Sequence, residues 1–306
     1  MNYQWYPGHM TKAKRMMEEN IKLIDIVIEV LDARIPMSSR NPDIDTLGKN
    51  KSRLILLNKS DLADEKKNQL WKEWFLEKGF FVAEINSRTG AGIRQINQVV
   101  KQACKEKIER DRKRGILNRP VRAMVAGIPN VGKSTFINSY AKKACTKTGN
   151  KPGVTKGKQW IKLGKEIELL DTPGILWPKF EDQTAGFRLA LTGSINDDIL
   201  NVEELAAEFL KFMKEAYPGV IEERYNIKED SIKEKDLKKI DGIETSENIV
   251  YNIEQIAKVR GCLLKGGSYD IKKASRQLID DFRSGKLGRI TLDTPPDSAG
   301  VDCLME

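Results

Sequence analysis

The segment Gly127-Ile128-Pro129-Asn130-Val131-Gly132-Lys133-Ser134 has the spacing of a phosphate-binding loop, G-x-x-x-x-G-K-S. Glycines let the backbone wrap closely around phosphate oxygens, and the N-terminus of the helix that follows offers unpaired N–H groups. In such a loop Lys133 neutralises the β- and γ-phosphates of a nucleoside triphosphate, and Ser134 binds Mg²⁺. The predicted phosphate-binding residues are Asn130, Val131, Gly132, Lys133, Ser134 and Thr135.

A second motif, Asp171-Thr172-Pro173-Gly174, follows a predicted strand. A carboxylate in this place can hold Mg²⁺ through a water molecule, and the Gly174 N–H can contact a γ-phosphate and register its loss. Thr155 lies between the two motifs, where a threonine would reach both Mg²⁺ and the γ-phosphate. We therefore predict that Lys133, Thr155 and Gly174 act at the γ-phosphate, and that Mg²⁺ is held by Ser134, Thr155 and, through water, Asp171.

A third motif, Asn58-Lys59-Ser60-Asp61, indicates which base the nucleotide carries. A carboxylate at Asp61 can accept both the N1–H and the N2 amine of guanine, whereas adenine would leave it unpaired and desolvated. Asn58 would bond guanine N7, and Lys59 belongs to the same base-binding group. Ser87, in Asn86-Ser87-Arg88-Thr89-Gly90, would place a backbone N–H near guanine O6. The predicted ligands are therefore GTP and GDP.

The elements that must position these motifs alternate between strands and helices. Six apolar, β-branched runs read as strands: 24–31, 53–57, 80–85, 121–126, 160–163 and 167–170. Helices are expected over 11–23, 64–78 and about 92–114, and the last two strands read as a hairpin. This pattern predicts an α/β fold, a mostly parallel six-stranded sheet with helices on both faces and one antiparallel pair.

The chain changes character after Trp177-Pro178. Residues 184–216 and 247–286 carry helical periodicity without convincing strands, and 228–246 read as a polar connection. We expect three regions: a nucleotide-binding domain over 1–178, a small all-α domain over 179–290 and a flexible tail over 291–306. A nucleotide-dependent hinge is predicted near Trp177-Pro178, because the segment after Gly174 leads directly into the second domain.

The order of the motifs is unusual, because the base motif precedes the phosphate-binding loop and Asp171-Gly174 comes last. This order resembles the circularly permuted GTPases. With Trp5-Tyr6-Pro7-Gly8-His9-Met10, Asp32-Ala33-Arg34-Ile35-Pro36 and Leu170–Pro178, nearly the whole chain resembles the ribosome biogenesis GTPase A family. The resemblance implies a circularly permuted P-loop GTPase domain, a role in assembly of the large ribosomal subunit with its rRNA and proteins, and a helical domain that binds RNA.

The residue that orients water for hydrolysis is not evident. Many GTPases have glutamine after the glycine of the second motif, but this chain has Ile175. We expect slow hydrolysis by the protein alone, stimulated by ribosomal subunits, with His9 as a candidate general base or water-positioning group. The alternative for His9 is a structural or RNA-contact role. Asn130 could hold K⁺ beside the phosphates, as in the potassium-activated GTPases that this loop resembles, or could be a turn residue.

Composition and charge limit the classes of partner that the protein is expected to bind. The net charge is +9, with basic residues concentrated at 101–165 and again at 258–290, so both stretches are predicted RNA-binding faces. The four scattered cysteines and single histidine disfavour a disulfide framework and exclude a multi-histidine metal centre. The scattered cysteines fit a reducing cytoplasm, and no apolar run is long enough to span a bilayer. We also expect a monomer with no membrane or DNA partner.

Three other functions compete with a subunit-gating GTPase. In an RNA-binding scaffold, GTP would only lock a conformation and hydrolysis would be incidental. An ATP-dependent kinase or ATPase is disfavoured by the guanine motif. A membrane-surface GTPase lacks a long amphipathic helix or a lipidation signal to support it.

Overall fold

The computed structural model describes residues 8–117, 119–146, 159–177, 182–227, 237–240 and 243–296. Within them the chain forms two compact units. The larger comprises residues 8–189 together with 291–296, and the smaller comprises 190–290. The division lies between Leu189 and Ala190, eleven residues later than the expected boundary at 178. Among the described residues no helix has the length and apolar character needed to cross a membrane.

In the described part of the larger unit, six strands form one sheet in the order β3-β2-β1-β4-β6-β5. The strands are β1 (Ile26–Asp32), β2 (Ser52–Asn58), β3 (Phe81–Ile85), β4 (Val121–Ala126), β5 (Gln159–Leu163) and β6 (Ile167–Asp171). All neighbours pair in parallel except β5 and β6, which are antiparallel. The predicted α/β sheet with one antiparallel pair is confirmed.

The central strands form because their sequences are apolar on both faces. Every residue of β1 is buried, as in a parallel sheet covered on both sides. Next to β1, the sheet packs against an apolar cluster that includes two aromatic side chains of the helix after β2. This core comprises Leu31, Ala33, Ile55, Leu57, Ala63, Trp71 and Phe75.

Seven helices accompany the sheet in the described residues. They are α1 (Gly8–Asn20), α2 (Pro42–Leu47), α3 (Glu65–Glu77), α4 (Ile96–Ala103), α5 (Lys105–Lys113), α6 (Lys133–Ala141) and α7 (Gln183–Leu191), with 3₁₀ turns at Ile21–Leu23 and Ile93–Gln95. The single helix expected over 92–114 was wrong, because the chain turns at Cys104. Ile96 and Val100 anchor α4 in the core, whereas α5 buries none of its residues. The apolar face that would hold one straight helix to the sheet therefore ends near Cys104.

The smaller unit is helical, as predicted, with one correction. Its helices are α8 (Val202–Ala216), α9 (Val220–Tyr225), α10 (Glu247–Val259) and α11 (Ile271–Arg283), after a 3₁₀ turn at Asp197–Ile199. Two short strands, β7 (Leu237–Ile240) and β8 (Ile243–Ser246), pair antiparallel inside the segment expected to be a polar connection. The Asp241-Gly242 dipeptide between them in the sequence is typical of two-residue hairpins.

Buried residues of α8 and α11 form the core of the smaller unit. The rings of Phe209 and Phe282 lie 5.0 Å apart, between helices whose apolar residues repeat at helical spacing. Asp281 is fully buried in the same unit and accepts hydrogen bonds from Arg224, Tyr225 and Arg260. Burial acts to raise the pKa of Asp281, but hydrogen bonds from Gln277 and Tyr225, together with the charges of Arg260 and Arg224, lower it below its usual value.

The expectation of a flexible tail from residue 291 was wrong for its first residues. Thr291, Leu292 and Asp293 are 0%, 2% and 3% exposed and belong to the larger unit. Hydrogen bonds to the loop after β1 and to α3 hold them in place. Residues 297–306 of the expected tail lie outside the described part of the chain.

Candidate nucleotide-binding site

Four neighbouring strands bring the sequence motifs to one edge of the sheet. Asp32 and Asn58 end β1 and β2 and are paired in register. The phosphate-binding loop follows β4, and Asp171 ends β6, opposite Val125 of β4. Carboxyl ends of parallel strands meet at the same edge, which is where ligands bind in open α/β sheets. The permuted order of the motifs along the chain therefore still assembles one site.

The phosphate-binding loop connects β4 to the N-terminus of α6, as predicted. Gly132 adopts a left-handed conformation with φ +91°, and a Cβ there would clash with the Asn58 side-chain amide. Only glycine fits both restrictions, so the loop depends on Gly132 for its path. Val131 is buried, while Asn130, Ser134 and Thr135 are half-buried around the start of α6.

Asn58 holds the base-side loop and the phosphate loop together. Its Nδ2 donates to the Val131 carbonyl at 2.7 Å, and its Oδ1 accepts from the Ser87 N–H at 3.0 Å. The Ser87 N–H, expected at guanine O6, thus has an internal partner here, and the N7 contact of Asn58 stays a prediction. The Ser87 hydroxyl is buried without a hydrogen-bond partner among the described residues, which leaves it available to a ligand.

Lys59 connects the base motif to the phosphate loop and also pairs with a buried carboxylate. Its Nζ donates to the Asn130 carbonyl and to Asp32 Oδ2, both at 2.8 Å. Arg34 also donates to Asp32, with Nε at 2.9 Å from Oδ1 and a terminal nitrogen at 2.8 Å from Oδ2. The two cations hold the pKa of the Asp32 carboxyl far below its usual range, although burial acts in the opposite direction. Asp61, the predicted base-binding carboxylate, is exposed.

The phosphate end of the site contains two buried charges that are poorly satisfied. Lys133 Nζ lies 3.6 Å from Asp171 Oδ1, and neither oxygen of Asp171 has a hydrogen-bond partner among the described residues. Burial raises the pKa of Asp171 and lowers the pKa of Lys133, and each group partly offsets the effect on the other. Buried carboxylate oxygens without donors are costly unless a ligand completes them. This fits a hydrated divalent cation beside Ser134, the predicted Mg²⁺ site.

The second motif packs directly against the phosphate loop. The Thr172 hydroxyl donates to the Val125 carbonyl at 2.8 Å, which fixes the motif to β4. A Cβ on Gly174 would lie 2.9 Å from the Pro129 nitrogen, so only glycine allows this close approach. The Gly174 backbone thus lies directly against the phosphate loop, and its contact with a γ-phosphate stays a prediction.

The residues after Gly174 are anchored by two other parts of the larger unit. Ile175 is 1% exposed, and its carbonyl accepts from Asn41 Nδ2 at 3.1 Å. The Leu176 N–H donates to the Met10 sulfur of α1 at 3.4 Å. An apolar, buried Ile175 cannot orient water, as the sequence indicated.

Three predictions depend on residues or side chains that lie outside the described part of the chain. Thr155, predicted to reach Mg²⁺, and Pro178, at the predicted hinge, lie outside the described residues. The backbone of His9 lies in the first turn of α1, but its side chain is outside the described part of the chain. All three assignments remain predictions.

Comparison with known proteins identifies the family. A ribosome biogenesis GTPase A from Bacillus cereus is 49% identical over 96% of this chain and 95% of its own length. A second, from Thermotoga maritima, is 33% identical over 97% of this chain and 96% of its own. The chain belongs to the ribosome biogenesis GTPase A family. The model of a family described as 50S ribosome-binding GTPase also matches residues 122–240.

Solved structures agree with this assignment. The GNP-bound crystal structure of YlqF from T. maritima matches with a TM-score of 0.64 at 27% identity, covering 93% of this chain and 99% of that one. A GDP-bound YlqF structure matches with a TM-score of 0.63 at 26% identity, covering 91% and 98%. The P-loop GTPase fold is therefore confirmed, and as a member of the ribosome biogenesis GTPase A family this chain is a GTPase.

The sequence assigns no role to the individual residues of Asp32-Ala33-Arg34. In the structure Asp32 is the group on which Arg34 and Lys59 converge. The available signal was an acidic residue directly after a buried parallel strand, a position that faces the ligand edge of such a sheet. Nothing in the sequence pairs Asp32 with Lys59, 27 residues later.

Proposed function

We propose that this ribosome biogenesis GTPase A family member hydrolyses GTP during assembly of the large ribosomal subunit, with the nucleotide state controlling its binding to that subunit. The observation that carries the proposal is the convergence of all three GTP motifs at one sheet edge in a chain 49% identical to a ribosome biogenesis GTPase. The match to a family described as 50S ribosome-binding GTPase supports the choice of subunit.

In this proposal each end of the site performs one task. Asp61 pairs with the guanine edge, and Asn58 and Lys59 hold the base loop against the phosphate loop. Lys133 and the N–H groups at the start of α6 bind the β- and γ-phosphates and stabilise the charge that develops as the γ-phosphoryl group leaves. Because Lys133 is buried, its interaction with phosphate is weakly screened by water.

Mg²⁺ would be held by Ser134, Thr155 and, through water, Asp171. The bound ion would neutralise phosphate charge in the transition state. K⁺ beside Asn130 remains part of the proposal, and equal hydrolysis rates in K⁺ and Na⁺ buffers would contradict it.

His9 is the proposed water-positioning residue. Ile175 is buried and apolar, so the usual position after Gly174 does not supply one. His9 precedes Met10, whose sulfur accepts from the Leu176 N–H, so the first turn of α1 lies beside the segment that follows Gly174. Replacing His9 with alanine should slow subunit-stimulated hydrolysis about a hundredfold, the size of a general-base contribution. An unchanged rate would remove His9 from the mechanism.

The smaller unit is the proposed RNA-binding part. Its described residues include a set of exposed basic side chains in and around α10 and α11, a pattern that suits a phosphate backbone. These are Lys258, Arg260, Lys265, Lys272, Lys273, Arg276, Lys286 and Arg289. The chain runs from Gly174 through α7 into this unit. A conformational change on release of phosphate would be transmitted to the unit along this segment. Identical scattering profiles with GDP and with a GTP analogue, in the presence of subunits, would contradict such gating.

The test is the rate of GTP hydrolysis with purified 50S subunits, with 30S subunits and with neither, at matched salt. We expect strong stimulation by 50S subunits alone, abolished by Lys133→Ala. Equal stimulation by both subunits would contradict large-subunit specificity. Binding to 50S subunits without stimulation would favour the RNA-binding scaffold, in which hydrolysis is incidental.

A further inference from the structure

The chain returns from the smaller unit to the larger one at Thr291, and the three residues that follow are built into the larger unit. We call Thr291-Leu292-Asp293 the C-terminal strap. Its residues are almost fully buried, with exposed fractions between 0% and 3%. A polar segment near a chain end is ordinarily mobile unless specific contacts hold it. The burial of the strap therefore needs an explanation in its contacts.

On one side the strap bonds to α3. The Thr291 hydroxyl accepts from the Asp64 N–H at 2.9 Å, and Lys67 Nζ donates to the Thr291 carbonyl at 3.4 Å. Trp71 Nε1 donates to the Asp293 carbonyl at 3.2 Å. Asp64 is the N-cap of α3 and lies three residues after Asp61. The strap thus fixes the start of the helix that follows the base motif.

On the other side the strap bonds to the loop after β1. The Leu292 N–H donates to the Arg34 carbonyl at 2.7 Å. Asp293 Oδ2 accepts from both the N–H and the hydroxyl of Ser38, each at 3.0 Å. The strap therefore connects α3 to the loop after β1. These two elements lie on either side of Asn58-Asp61.

Both bridged elements continue into the nucleotide site. Arg34 is bonded to Asp32, Asp32 to Lys59, and Lys59 to the phosphate loop. From α3 the path is shorter, since Asp64 and Asp61 belong to one turn after β2. Without the strap, the base motif would lose its support on both sides, although none of the motif's own residues would be changed.

We propose that Thr291 and Asp293 are positioning residues for guanine nucleotide binding, which hold Asn58-Lys59-Ser60-Asp61 in its binding conformation from outside the site. The proposal rests on the nucleotide site described above. It also makes the strap a second covalent route from the smaller unit to the site, because Thr291 directly follows the last residue of that unit.

The test is the affinity of the full-length protein for GDP and for IDP by calorimetry. IDP lacks the N2 amine, so the ratio of the two affinities reports the Asp61 contact. Thr291→Val removes the hydroxyl acceptor while keeping the side-chain shape, and we expect it to weaken GDP binding about fivefold and to reduce the GDP/IDP ratio. Thr291→Ser should restore both values.

The chain offers matched controls. Thr294 lies in the same segment but is exposed, so Thr294→Val should leave GDP affinity within about twofold of wild type, as surface substitutions usually do. A chain ending at Pro296 should behave like wild type, whereas one ending at Ile290 should lose about tenfold or more in affinity, because all strap hydrogen bonds are lost together.

Two results would overturn the proposal separately from the proposed function. If Thr291→Val lowers the melting temperature but leaves GDP affinity and the GDP/IDP ratio unchanged, the strap only stabilises the fold. If the Ile290 chain folds and binds GDP like wild type, the strap has no positioning role. Failure of the wild-type protein to bind GDP would instead overturn the nucleotide site itself.

Discussion

Asp32 and Asp171 lie on the same edge of the sheet, yet they are opposites in their surroundings. Both are the last residues of strands in the six-stranded sheet, and they are 1% and 0% exposed. Asp32 receives hydrogen bonds from Arg34 and Lys59, and its pKa is lowered. Asp171 has one ammonium at 3.6 Å, no hydrogen-bond donor among the described residues, and a raised pKa.

The difference shows which part of the site the chain completes by itself. A buried carboxylate with all its partners is structural, whereas one without donors is costly and marks a place where a ligand completes the site. The base side, around Asp32 and Lys59, is therefore preformed. Under the proposed function, nucleotide and cation complete the phosphate side, around Lys133 and Asp171.

The largest expected effect is the loss of Asp32. Asp32→Ala would leave Arg34, which is 2% exposed, as a buried cation without its carboxylate, and would remove the ion-pair partner of the half-buried Lys59. Breaking a buried pair such as Asp32–Arg34 costs about 3–5 kcal/mol. The free energy of unfolding by urea should fall by that amount. A loss of under about 1 kcal/mol would mean that the Asp32 network contributes little, and the contrast with Asp171 would fail.

Asp281 tests, in the smaller unit, whether the loss of a buried carboxylate with ion-pair partners destabilises the fold. It is as buried as Asp32, but Arg224 and Arg260 are 32% and 31% exposed, so water can partly replace the lost carboxylate. We expect Asp281→Ala to destabilise the smaller unit by about 2–3 kcal/mol, less than the loss of Asp32. Hydrogen exchange of α8 and α11 would measure this, with the exposed Asp280→Ala as control. Equal exchange in the two variants would contradict the prediction.

Asp293 should make stability depend on pH. Burial raises its pKa from 3.8 to about 6, against the opposing effects of Ser38, Arg188 and Lys67. Between these values the folded chain binds a proton that the unfolded chain does not, so stability falls as pH rises from about 4 to about 6. Asp293→Asn removes this titration, and its stability relative to wild type should rise over that range by roughly 2 kcal/mol. A difference in the free energy of unfolding between the two proteins that stays constant over this pH range would contradict the prediction.

The smallest effect is expected at Asp171. Asp171→Asn removes a buried charge that lacks hydrogen bonds, so stability without nucleotide should change by about 1 kcal/mol or less. Urea unfolding in the presence of a chelator measures it, beside Asp32→Asn. A destabilisation as large as that of the Asp32 variant would show that both carboxylates are structural.

The sequence predicts the sheet and the placement of the motifs well, because both depend on local patterns. Apolar runs rich in β-branched residues locate the strands, and the glycines and lysine of 127–134 locate the turn before α6. The positions of the three motifs along the chain show the permuted order directly. These patterns involve residues that are close in sequence, so they can be recognised without knowledge of tertiary contacts.

The strap and the Asp32 network could not be predicted in the same way. Thr-Leu-Asp-Thr-Pro-Pro has the composition of a chain end, and its burial depends on partners more than two hundred residues away, such as Asp64 and Trp71. Nor does the sequence reveal that Ser87 bonds to Asn58. These are tertiary contacts, and each overrides what the local composition suggests.

The most direct test of the account is the effect of Mg²⁺ on GDP affinity in wild type and in Asp171→Asn, at fixed ionic strength. If the phosphate side is completed by the cation, Mg²⁺ should tighten GDP binding about tenfold or more in wild type and have little effect in the variant. An equal effect of Mg²⁺ on both proteins would contradict the account, because Asp171 would then have no part in holding the cation.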